Sequence, residues 1–129
     1  MKPRLFLGVF AMIAVQIIFG IASELSSSTA LIFAIPIVGS FSAAACGGFV
    51  ARRSFVLPGV LVLLVDLALI AYALPHTTEE PVDYSVVPPS GWAMMVLISA
   101  SFLAAGAAGA KVGTRFAARY ALANASPTA

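Results

Sequence analysis

The residues from Ser54 to Leu74, SFVLPGVLVLLVDLALIAYAL, form a nearly unbroken apolar run with one carboxylate, Asp66, close to its middle. About 20 such residues at 1.5 Å rise cover the roughly 30 Å hydrocarbon core of a bilayer, so the run reads as a transmembrane helix. A carboxylate at the centre of such a helix costs about 2.5–3.5 kcal/mol on insertion scales, which makes Asp66 a candidate functional site that needs a partner.

Three more apolar runs flank this one. Only 9% of the 129 residues are charged and 61% are hydrophobic, whereas soluble domains carry about 25% charged residues. The apolar runs account for most of the length and leave no room for a soluble domain of ordinary size. The expected fold is therefore an all-α membrane protein, a bundle of four transmembrane helices over residues 5–23, 29–51, 54–74 and 92–120. Residues 1–122 form the single domain and 123–129 a flexible tail.

The first run, Leu5–Ser23, follows a basic start and could be mistaken for a cleavable signal. Its length exceeds the usual apolar stretch of about 7–15 residues in such signals, so it is read as helix one. The serines at 26–28 are positioned to cap helix two, which contains Pro36. Between helices three and four, Pro75–Gly91 reads as an exposed loop rich in proline and acid. Tyr72, Tyr84 and Trp92 are expected at one membrane face as an aromatic belt.

Charge placement gives the topology. With four crossings, Lys2, Arg4, Arg52, Arg53, Lys111, Arg115 and Arg119 all fall on one side, and Glu24, Glu79, Glu80 and Asp83 on the other. Lysine and arginine bias in short loops sets orientation, so both termini are expected in the cytoplasm; the small size and the lack of a targeting sequence suggest the inner membrane of a bacterium. Four-helix carriers that insert both ways need a weak bias, and here the bias is complete.

Helices two and four share a pattern, SFSAAACGGFVARRSF from Ser40 and SFLAAGAAGAKVGTRF from Ser101. A duplicated helical hairpin and chance similarity among alanines and glycines compete as explanations. Gly39, Ala43 and Gly47 recur every four residues, as do Gly106 with Ala110 and Gly109 with Gly113, so each set lies on one helix face and lets another backbone approach closely.

Gln16 lies eleven residues after Leu5, and Asp66 lies eleven after Phe55. Both should sit at the same depth. A similar count back from Val50 and Val112 reaches Ser40 and Ser101, which suggests a polar layer of Gln16, Ser40, Asp66 and Ser101. Such a layer either fixes the register of the bundle by hydrogen bonds or provides a protonatable group for coupled transport. The stripe Lys111, Arg115, Arg119 is read as an anchor at the cytoplasmic leaflet or an anionic-lipid contact.

No nucleophile–base arrangement, phosphate loop or nucleic-acid motif is present, and the lone Cys46 and lone His76 offer no metal-ligand spacing. The expectation is a non-enzyme with no catalytic residue, cofactor, metal or nucleic-acid partner. As first reading, it is an accessory, assembly or scaffold subunit acting through helix contacts with lipids, with its own copies or with a larger membrane protein. The alternative is an oligomeric proton- or ion-coupled transporter or channel using Asp66, and a weaker one is a regulator that binds anionic lipid.

Overall fold

A computed structural model describes residues 3–77 and 83–125. Its helices are α1 (Pro3–Glu24), α2 (Thr29–Ala51), α3 (Val56–Thr77) and α4 (Pro89–Asn124), with one 3₁₀ turn at Tyr84–Val86. The bundle is all-α, as its hydropathy predicts. The bounds of α2 coincide with those read from sequence, whereas α3 and α4 run further.

The extra turns have local causes. Pro75 lies inside α3, where a proline lacks the N–H that would bond the carbonyl of residue 71. The Tyr84 hydroxyl donates to that Ala71 carbonyl at 2.8 Å, so the proline is tolerated and the helix continues. His76 Nδ1 donates to the Tyr72 carbonyl at 2.7 Å one turn along. At the start of α4, Pro89 occupies a first-turn position, where its missing N–H is no loss. Asn124, expected in the tail, closes α4 by donating to the Tyr120 carbonyl; the tail beyond residue 125 lies outside the described residues.

Two turns differ from expectation. Ser28 stands at the N-cap of α2 without a side-chain cap bond, and its carbonyl accepts from Ile32 N–H instead. At the other end Arg52 adopts φ 52°, ψ 30° and donates its N–H to the Gly48 carbonyl. That left-handed position usually takes glycine and costs an L-residue roughly 1–2 kcal/mol. In the α3–α4 connection, the Ser85 hydroxyl and backbone N–H both donate to Asp83, which holds its carboxyl below the usual range.

Helix α2 is the centre of the bundle. Gly47 meets Gly8 at one end of α1 and Gly39 meets Phe19 near the other, so α1 and α2 are antiparallel. Phe41 faces Gly109 and Ala45 faces Gly113, so α2 and α4 run parallel. Leu63 of α3 lies over Gly106, and Phe55, fully buried, wedges against Gly8, Gly47 and Gly59. Direction thus reverses at every connection.

The small residues do the joining. A Cβ at Gly109 or Gly113 would collide with the Phe41 or Ala45 carbonyl, and one at Gly48 would lie 2.6 Å from the Ala110 carbonyl. Gly39, Ala43 and Gly47 are buried toward α1, and Gly106, Gly109, Ala110 and Gly113 toward α2 and α3. Cys46 faces outward, because its neighbours occupy both helix interfaces.

Large side chains point outward instead, with Phe10 76% and Leu57 70% exposed. A water-soluble monomer rarely shows such continuous apolar surface, and a lipid-facing one requires it. The proposed duplication does not extend to matched roles. Phe55 is buried while its sequence equivalent Phe116 is 59% exposed.

Replacing Gly113 by alanine should destabilise the bundle by about 1–3 kcal/mol, because the methyl meets backbone that cannot move aside. Gly20→Ala should be neutral or stabilise by up to ~1 kcal/mol, since nothing lies within 4 Å of the added Cβ. Unfolding titrations in mixed micelles would measure both.

Candidate functional site

Helices α1 and α3 run in the same direction, and their common reference level is the contact between Gly8 and Phe55. Gly8, Met12 and Gln16 follow at intervals of four on one face of α1. Phe55, Gly59, Leu63 and Asp66 follow at near-helical intervals on one face of α3. Ascending those faces brings Gln16 Nε2 to Asp66 Oδ2, where it donates a hydrogen bond of 2.8 Å.

Only the amide nitrogen can donate to a carboxylate oxygen, so the orientation of Gln16 is set by its partner. Gln16 Oε1 is consequently sealed from solvent with no hydrogen-bond partner. The other oxygen, Asp66 Oδ1, has no partner among the described residues either, yet it is not among the sealed polar atoms.

Asp66 and Gln16 form the floor of a cavity of about 440 Å³. Phe19, Pro36, Ile70 and Phe102 supply apolar walls, and Ser23 and Glu24 stand toward the end of α1. The lining belongs to the second halves of α1 and α3 and the first half of α2, so the cavity occupies the half of the bundle remote from the basic end. Below the floor the bundle is closed by Met12, Phe55 and Leu63, each fully buried.

Ser40 belongs to this cavity, but its hydroxyl is committed to the backbone, facing the Ile37 carbonyl at 2.9 Å and the Phe102 carbonyl at 3.1 Å. Ser101 does not join the layer. Its hydroxyl donates to Leu97 in its own helix, because the next residue, Phe102, holds the inward face about 100° away. The layer therefore comprises Gln16 and Asp66 bonded to each other, with Ser40 beside them.

Glu24, read from sequence only as a topology marker, stands at the upper edge of this cavity. Gln16, Gly20 and Glu24 share a helix face at intervals of four, and that spacing was the available signal. Trp92 packs on Tyr84 with ring centroids 5.7 Å apart, and Tyr72 stacks on His76 at 4.6 Å, all at the same end. Glu79 and Glu80 lie outside the described residues.

At the opposite end Lys111, Arg115 and Arg119 are exposed, as are Arg4, Arg52 and Arg53. Thr114 Oγ1 lies 2.8 Å from the Ala110 carbonyl of its own helix and 3.0 Å from the Arg53 carbonyl, so its one proton is shared between α4 and the α2–α3 turn, a link that nothing in the sequence indicated. Cavities of about 250 and 180 Å³ lie beside Lys111 and Arg115 and beside Arg115 and Arg119. From Lys111 on, α4 extends by about 20 Å at 1.5 Å per residue. Among the described residues no three His, Cys, Asp or Glu side chains gather as metal ligands would.

Four helices long and apolar enough to cross a bilayer, small residues inside and large ones outside define a helical membrane protein. No protein-family model, curated protein or solved structure matches the chain.

Asp66→Asn should retain an acceptor for Gln16 and change stability by less than ~1 kcal/mol. Gln16→Leu, which leaves the carboxylate unbonded, should cost more, up to about 1.7 kcal/mol for an interhelical bond of this kind. Thermal unfolding in detergent would rank them. Neutralising Lys111, Arg115 and Arg119 together should remove retained anionic phospholipid, at about 1 kcal/mol per charge, as read by mass spectrometry of the purified protein.

Proposed function

We propose that this is a small, non-catalytic integral membrane protein that works as a proton- or ion-coupled transporter, with Asp66 as the coupling group. The carrying observation is the position of Asp66, on the floor of a cavity with one carboxylate oxygen uncommitted. An intramembrane carboxylate that reaches a cavity marks a pathway more often than a joint. The cavity is closed on the basic side by Met12, Phe55 and Leu63, which suits one state of a carrier better than an open channel. The charge bias supports an orientation with both termini in the cytoplasm, and the chain's small size suggests a bacterial inner membrane, in which the cavity would face the periplasm. Four helices rarely enclose a complete path, so the working unit is an oligomer.

The second reading is an accessory or assembly subunit, in which the Gln16–Asp66 bond fixes the register of α1 against α3. Its main sequence support, the small-residue faces, is occupied within the chain, since those glycines meet Phe19, Phe41, Ala45 and Leu63. No small-residue face of that set remains to dock a partner.

Reconstitution into liposomes separates the two. Wild-type protein should support cation-linked acidification of the lumen, and Asp66→Asn should abolish it while eluting as the same oligomer. Equal flux for both would end the coupled-transport reading and favour the accessory one.

A further inference from the structure

We infer that the cavity above Asp66 is a binding site for a lipophilic ammonium ion, a protonated amine carrying N–H donors on an apolar or aromatic body. This inference rests on the transport reading of Asp66 and names its cargo.

Charge is the first constraint. Among the described residues the ionisable ones lining the cavity are Asp66 and Glu24, both acidic, with no lysine, arginine or histidine beside them. An anion would meet only repulsion. A neutral apolar guest would leave the carboxylate without compensation in a site of low dielectric.

Hydrogen bonding is the second. The Gln16 amide donates to Asp66, and the Ser40 hydroxyl faces two backbone carbonyls. Left over as acceptors are the free oxygen of Asp66, Gln16 Oε1 without a partner and the Glu24 carboxylate, which outweigh the remaining donors, the second N–H of Gln16 and the Ser23 hydroxyl. The complementary guest is therefore a donor. Gln16 Oε1 is sealed in the empty arrangement, but the last torsion of glutamine is soft. Rotation about it gives up the Gln16 N–H bond to Asp66 and turns that oxygen toward an ammonium group, whose own N–H donors replace the lost bond to Asp66 and satisfy the orphaned atom.

Shape and wall chemistry exclude a bare metal ion. Hard cations take six or more oxygen ligands, whereas the floor offers four side-chain oxygens, from Asp66, Gln16 and Ser40, and the walls are Phe19, Ile17, Ile70 and Phe102. Those walls suit a hydrocarbon or aromatic body. The cavity volume, about 440 Å³, falls within the range of roughly 300–1,000 Å³ typical of small-molecule sites. Glu24, near the end of α1, raises the local concentration of cations.

The test uses the full chain in nanodiscs and three probes of similar shape: 2-phenylethylammonium, its N-trimethyl derivative and 2-phenylethanol. Saturable binding of the primary ammonium is expected, with the trimethyl compound at least tenfold weaker and the alcohol not saturating. Asp66→Asn should weaken ammonium binding at least tenfold. Gly20→Leu should also weaken it by narrowing the cavity, and the space around Gly20 lets that variant fold. Ser101→Ala, outside the cavity, should bind as wild type does. Alcohol binding equal to that of the ammonium, or ammonium binding unchanged in Asp66→Asn, would overturn the inference. Asp66-dependent acidification without ammonium binding would overturn the ligand assignment and leave the transport reading standing. Asp66-dependent ammonium binding without flux would support the assignment and remove transport.

Discussion

The bundle depends on the close approach of backbones along α2. Lipid chains are as apolar as leucine, so no hydrophobic force drives one spanning helix against another, and dispersion contacts and a few hydrogen bonds must suffice. Helix α2 meets this requirement on two sides, through Gly39 and Gly47 toward α1 and through the Phe41 and Ala45 backbone toward Gly109 and Gly113. Helix α3 is set differently, held by Phe55 and Leu63 at its basic half and by Asp66 at mid-depth. The closed half and the hollow half of the bundle follow from that contrast. Where glycines and Phe55 interlock, no space remains, and beyond the Gln16–Asp66 bond the cavity opens.

The same division organises the electrostatics. Cations cluster at the tightly packed end, where Thr114 links the Arg53 turn to α4 and exposed guanidinium groups can meet phosphate headgroups. Acids stand at the hollow end, at the edge of the cavity and in the Asp83 turn. A positively charged guest would thus be drawn to one end and repelled from the other. Arg52 in a left-handed conformation fits this pattern, since charge at that turn takes precedence over the glycine that backbone geometry would favour.

Much of the architecture was legible in the residues. Four spanning segments, the bounds of α2 and the equal depth of Gln16 and Asp66 all come from hydropathy and a constant rise per residue. The C-terminal end of α3 and the start of α4 run past the limits that their prolines predict. Pro75 is accommodated by the distant Tyr84 hydroxyl and Pro89 by its first-turn position. Ser101 was placed at the right depth but on the wrong side of its helix. Glu24 was seen as a topology marker because its distance from the midplane hid its shared face with Gln16.

By itself, then, the sequence determined which segments cross the membrane, how deep each polar residue lies and at which end each charge collects. These are one-dimensional quantities, carried by composition and by counting. The tertiary structure decided which neighbour each glycine face meets, which polar side chains converge and where the cavity opens. Those depend on the rotation of each helix about its axis, about 100° per residue. A water-soluble bundle would reveal that rotation through a polar outer face. Here lipid and protein interior are equally apolar, the outward and inward residues differ mainly in size, and only the packing of α1, α3 and α4 around α2 fixes the angle.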